Sequence, residues 1–412
     1  MTMGIFVLIS FLIEVGVLFY LEKKTWNTLY TPLNFLMLPY TVVLLISVAV
    51  AGHWGIVGFC YQSVLYWSVG LFLFAIPSFL LGFSLHKHGK PVITPIKEYY
   101  DLEIWTILAV FICVAFLYRL KQTFGSSIAA IGSDEFGENF YSHGFWAHLN
   151  KFYTPLLVIG IYYVDRKKWW IIILVVLMLM FSFIHQVKGW IIIPCIAGLS
   201  LRLYSGKTRM SMNFVFWLLI GAISVFLISY LLSFVLGNNS AMGMYMIEFI
   251  LRHFVHYFTS GVLGFSMDVA NGMPDSGETQ ILFSPFVNII NQISGEQLIS
   301  PINSLYYHTG LNFTNVRTMF GTIAIYCNPT KFIIVTLFLS FTIYLIRVLA
   351  VKFNNLYMNV IYFYQCSLLS MGWFEYYFFH LDAIEVPLMT LLIWGVVYIL
   401  IDKKVINHEY TL

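Results

Sequence analysis

The chain has 412 residues, of which 60% are hydrophobic, 18% aromatic and only 10% charged, against roughly 25% charged residues in soluble domains. A mean hydropathy of +0.82 leaves no polar stretch of domain size, which excludes a soluble globular fold and a single anchor carrying a soluble catalytic domain. Lys and Arg number 22 and Asp and Glu 19, for a net charge of +3, without the basic stripe that nucleic acid requires, so no nucleic-acid partner is expected.

Crossing the hydrocarbon core takes about 20 apolar residues in a helix. Segments meeting that test run in chain order over 3–21, 32–52, 62–84, 104–120, 147–164, 169–186, 189–204, 213–236, 331–351, 356–373 and 384–401. The expectation is an all-α polytopic membrane protein, a single membrane domain over 1–412 with about 11 transmembrane helices (10–14). The first segment has no basic residue before it and no small-residue cleavage site, and reads as a retained helix. Lys and Arg favour the cytoplasmic side. Placing the N-terminus outside and the C-terminus inside puts fifteen of the twenty-two there, among them Lys23, Lys24, the Arg166–Lys168 run, Arg202, Lys207 and Arg209.

Two extracytoplasmic loops follow from this orientation, 121–146 and the large 237–330. The second opens on a helical pattern and passes into a Pro-, Gly- and Asn-rich stretch with no strand periodicity. If its apolar part, 249–265, crossed the membrane, the basic bias of the last three spans would break. It is therefore expected to be re-entrant or interfacial.

At 100° per residue, Tyr245, Glu248, Arg252, His256 and Thr259 share one face of that helix. One reading is an interfacial helix showing its polar face to solvent; the other is a site wall in which Arg252 grips an anion while His256 or Glu248 handles a proton. Arg317 stands among Thr314, Asn315 and Thr318, and its planar fork suits a phosphate, or it snorkels at a helix end. Lys188, in the tight HQVKGW connection, is a second cation toward the same anion or an interface anchor beside Trp190. His308, Glu375, His380 and Asp382 also fall outside, as aromatic-belt neighbours or, for His308 with Asn315 and Thr318, as substrate contacts.

The five cysteines, Cys60, Cys113, Cys195, Cys327 and Cys366, show no CxxC spacing, so neither a disulfide framework nor a zinc site is expected. No P-loop, GxSxG, HExxH or DxD pattern occurs, which argues against nucleotide chemistry at an outer site. No cofactor and no metal are expected.

The architecture, the long outer loop late in the chain and the segment Asn315-Val316-Arg317-Thr318-Met319-Phe320 resemble the bacterial oligosaccharide repeat unit polymerases, the Wzy-type O-antigen and capsule polymerases. Members of that family often carry N-V-x-T-x-[FL], then an aromatic-rich run and Asp-Phe-Gly. Here Tyr326-Cys327-Asn328 stands at that place, without the acidic residue. The Lys188-Gly189 pair is similar to an Arg-Gly pair of the family.

The resemblance implies a glycosyltransferase of the bacterial cytoplasmic membrane. It would move a glycan from undecaprenyl diphosphate to a new lipid-linked repeat on the outer face, building O-antigen or capsule. A chain-length regulator and a flippase are the protein partners it implies. Charge builds on the leaving diphosphate and the acceptor hydroxyl must lose a proton. Arg252, Arg317 and Lys188 would then take the diphosphate, and His256 the proton with Glu248 as its partner or substitute. The alternatives are an O-antigen ligase, a flippase or solute carrier, and an O-acyltransferase using His253 or His256.

Overall fold

The computed structural model describes residues 2–86, 96, 101–124, 136, 140, 145–184, 188–213, 216, 220–221, 224, 227, 244–274 and 278–409. The helices are α1 (Thr2–Trp26), α2 (Pro32–Val50), α3 (Ser63–His86), α4 (Asp101–Phe124), α5 (Phe145–Tyr163), α6 (Trp169–Ile184), α7 (Lys188–Tyr204), α8 (Met244–Ala270), α9 (Ser284–Ser294), α10 (Met319–Tyr326), α11 (Pro329–Phe353), α12 (Leu356–Ser370) and α13 (Asp382–Glu409). Strands β1 (Tyr307–His308) and β2 (Phe313–Thr314) pair antiparallel, Tyr307 opposite Thr314. The protein is an all-α membrane protein with this one small hairpin among its described residues.

Six described helices, α1, α2, α3, α4, α11 and α13, are long and apolar enough to cross a membrane. Among the described residues the other expected spans do not meet this test of length and hydropathy, so the count of eleven is not confirmed. α6 and α7 have 16 and 17 described residues, and residues 185–187 between them lie outside the description. α5 opens on a polar turn with His148 and Lys151, and α12 has 15 residues. The expected span 213–236 and the loop 121–146 lie largely outside the described residues. On α1, Phe6, Ile9, Ile13 and Val17 are exposed, as are Ile107, Phe111 and Val114 on α4. Apolar side chains over whole helix faces are stable in lipid and not in water.

Packing divides the chain into two compact units, one of Met1–Ile93, Leu251–Lys352 and Gln365–Ala383, the other of Thr94–Ile250, Phe353–Tyr364 and Ile384–Leu412. In the first, Tyr40 of α2 stacks on Trp67 of α3 at 3.4 Å between centroids, and Phe320 of α10 meets Trp67 edge-on at 4.8 Å. Polar groups within this apolar body bond one another, since lipid offers no partner. Glu22, fully buried, accepts from Ser78 at 2.6 Å and from Tyr344; Ser78 accepts from the Trp26 indole at 2.8 Å. Ser68 donates to Glu14, the carboxylate inside the first span. In the second unit α5 packs on both α6 and α7, and Gly198 of α7 lies against Ile161 of α5.

The 237–330 segment was expected to lack strands. Its hairpin has two residues per strand, too short for alternation to register in sequence. Gly310, at φ +93°, makes the turn possible, and the Thr309 carbonyl accepts from the Val57 amide at 3.0 Å. The hairpin tip is thereby seated on the 55–57 loop.

Candidate functional site

Helix α8 carries the polar stripe read from sequence, and the stripe runs from exposed to covered. Glu248 and Arg252 are exposed, while His256 and Thr259 are buried; the Tyr245 side chain lies outside the described residues. The cover over the inner half includes the hairpin. His256 Nδ1 lies 3.2 Å from Thr309 Oγ1, His253 Nε2 lies 3.4 Å from Asn312 Nδ2, and His308 packs edge-on against Phe313 at 4.9 Å.

Burial first, then the neighbouring imidazoles of His253 and His308, lowers the His256 pKa to about 4, against a hydrogen bond to the Phe313 backbone that raises it. His256 is therefore neutral at pH 7. An unfolded imidazole protonates near 6.5, so as pH falls below about 6.5 the unfolded chain binds a proton that the folded chain refuses. Stability should fall between about pH 6.5 and about 4. The check is a melting scan of detergent-purified protein over that window, with His256→Gln expected to show a flatter dependence; equal slopes would discount His256 as the titrating group.

Arg317 lies elsewhere than on the exposed stripe. It is 1% exposed and pairs bidentately with Asp268 of α8, itself 0% exposed, through Nε to Oδ2 and Nη2 to Oδ1 at 3.3 Å. Further guanidinium donors go to the carbonyls of Val316 (3.0 Å) and Leu305 (3.3 Å), and the Tyr307 ring stacks on the group at 4.8 Å. Four donor contacts are spent inside the protein, so Arg317 positions the 305–318 segment on α8.

Thr318 is likewise structural. Fully buried, it caps α10 by accepting from the Gly321 amide at 3.3 Å, and it accepts from the Trp67 indole at 2.9 Å. Asn315 donates to the Asn303 carbonyl (3.3 Å) and the Tyr306 hydroxyl (3.2 Å). The segment that carries the family resemblance is thus built inward. Gly264 makes this fit possible, since a Cβ there would lie 2.7 Å from the Val316 carbonyl and 3.1 Å from Arg317 Nη1.

Lys188 opens α7, and its side chain lies outside the described residues. His380 and Glu375 stand 3.7 Å apart. Sequence reading missed Asp268, although it is the one carboxylate between 255 and 270 and an arginine buried beside it needs a counter-charge. His253 entered only through the acyltransferase alternative. Among the described residues, no three His, Cys, Asp or Glu side chains stand in metal-holding geometry.

Beside this helix, a cavity of about 570 Å³ opens between α3, the 273–274 turn and the start of α11, lined chiefly by Leu65, Tyr66, Val69, Met273, Pro274 and Phe332. Lys331, exposed nearby, donates from Nζ to Thr279 Oγ1 at 3.2 Å.

A family of unknown function, DUF6337, matches residues 55–404. The chain belongs to this family. The DUF6337 match takes in α3 through most of α13, including the histidine stripe, the hairpin and the Asp268–Arg317 pair. No curated protein and no solved structure matches the chain.

Proposed function

We propose that this DUF6337 protein polymerises undecaprenyl-diphosphate-linked oligosaccharide repeat units on the outer face of the bacterial cytoplasmic membrane, as a protein of about eleven spans with its N-terminus outside and its C-terminus inside. The observation that carries the reading is the half-covered stripe of α8, which sets exposed Arg252 one helical turn from neutral His256. An anion held by Arg252 would raise the basicity of that imidazole toward working pH. The apolar cavity with Lys331 nearby has the character of a place for an isoprenoid chain ending in phosphate.

In the reaction, the bond between the donor's anomeric carbon and the diphosphate oxygen breaks as a bond from that carbon to the acceptor oxygen forms. The acceptor's proton passes to His256, with His253 as the adjoining imidazole, and Arg252 takes the charge growing on the leaving diphosphate. Glu248, earlier on the same helix, is the partner or substitute of His256. Arg317 and Thr318 hold the wall behind these groups.

The test is the surface-glycan ladder of cells lacking the gene, complemented with wild type, Arg252→Ala or His256→Gln at equal membrane level, run beside the lipid-linked pool. Single repeats reaching the surface with both variants are expected. Normal ladders from both would overturn the site. Long polymer stranded on the carrier in the null would make the protein a ligase, and repeats retained in the cytoplasm would make it a transporter.

A further inference from the structure

The second packing unit contains a cavity of about 680 Å³ at the ends of α5 and α7, and its lining is unlike that of the first. Four cations, Arg166, Lys168, Arg202 and Lys207, surround it with Tyr162 and Tyr163 against one carboxylate, Asp165. Leu102, in the first turn of α4, a helix long and apolar enough to cross a membrane, also lines it. The cavity therefore lies at one end of an apolar helix that is long enough to cross a membrane.

Two of the cations are held in place. Arg202 Nη1 donates to the carbonyls of Ile161 (3.2 Å), Tyr162 (3.0 Å) and Val164 (2.6 Å), capping the end of α5, while Nε donates to Thr208 Oγ1 at 3.0 Å. Its Nη2 amino group makes no hydrogen bond among the described residues, and so keeps two N–H donors beside the cavity. Gly206, at φ +75°, turns the chain after α7 and brings Lys207 Nζ to 3.7 Å from the Tyr162 ring centroid and 4.8 Å from that of Tyr163. Asp165 accepts from the Lys167 amide at 3.1 Å and also lies close enough to Arg202 to favour its charge, so it offsets one of the four cations.

We propose that this cavity binds a phosphate group, and that the group belongs to the headgroup of an anionic membrane lipid. Arg202 supplies fixed donors of the kind that match phosphate oxygens, and Lys207 with Arg166 and Lys168 supplies charge. A free phosphate shares this chemistry; the position at one end of a helix long enough to cross a membrane favours the lipid. The inference is independent of the polymerase reading, since it concerns other residues and another cavity.

The experiment uses full-length protein purified in detergent, with thermal stability and native mass spectrometry read against phosphatidylglycerol, phosphatidylcholine and inorganic phosphate. Phosphatidylglycerol is expected to stabilise the protein and to remain bound, and phosphatidylcholine to do neither. Lys207→Gln should weaken phosphatidylglycerol binding about fivefold and Lys168→Gln/Lys207→Gln more than tenfold, at roughly one surface charge apiece. Arg202 is left intact because it caps α5, and lipid-free melting temperatures equal to wild type confirm folding. Inorganic phosphate protecting as well as the lipid would assign the site to the free ion and overturn the lipid assignment. Binding unchanged in both variants, or equal binding of phosphatidylcholine, would overturn the site.

Discussion

Arg317→Ala is expected to lower folding stability by about 3–5 kcal/mol, the usual cost of stranding one partner of a buried ion pair. The Asp268 carboxylate would keep its burial and lose its bidentate partner. Burial already pushes the Asp268 pKa up, and the Arg317 bonds pull it back. Without them the carboxyl relieves its buried charge by taking up a proton, so the defect should shrink as pH is lowered. Replacing both residues by apolar ones, Arg317→Met with Asp268→Leu, should recover most of the loss, because pairs of this kind contribute little net stability relative to a well-packed apolar substitute. Unfolding of detergent-solubilised protein, arranged as a double-mutant cycle, gives the answer. Additive losses would mean that the two side chains do not act as a pair. The same result bears on function, since loss of glycan polymer in Arg317→Ala alone would report a damaged fold and not a missing anion contact.

Gly310→Ala should be the second severe change, and Gly52→Ala its mild control. Both glycines have positive φ, +93° and +77°, so each substitution carries a backbone strain of about 1–2 kcal/mol. At Gly52 a Cβ meets nothing within 4 Å, whereas at Gly310 it would enter the Gly55 carbonyl. The added overlap, of the kind that costs about 1–3 kcal/mol in a packed interior, is relieved only by lifting the hairpin off the 55–57 loop. His256 would then lose its contact with Thr309. Diethyl pyrocarbonate should modify His256 faster in Gly310→Ala than in wild type or Gly52→Ala. Equal rates in all three would show that the hairpin does not shield the imidazole.

The membrane helices were legible because a run of apolar residues about 20 long has few other uses. Ten of the eleven expected segments coincide with helices to within a few residues, apart from a longer final helix, and the other, 213–236, lies largely outside the described residues. Helix α8 was legible through its stripe. The partners of its polar groups were not, because Asp268 and Arg317 are 49 residues apart and periodicity reports faces without naming what lies against them. Arg317 looked like an anion site for the same reason that it makes a good ion pair: a planar fork of donors suits Asp268 as well as a phosphate. Thr318 could have been read as a helix cap, since a threonine directly before the apolar run of α10 is the usual pattern. The hairpin was beyond reach, with strands shorter than one alternation.

The contact between Glu22 and Tyr344 joins residues 322 positions apart. A ribosome adding roughly 5–20 residues per second makes the tyrosine about 16–65 s after the glutamate. For that interval α1 has left the ribosome without the hydroxyl that will hold its carboxylate. Assembly of the first packing unit is thus timed by its last long helix, and a chain truncated before α11 would leave the Glu22 carboxylate with one of its partners never made.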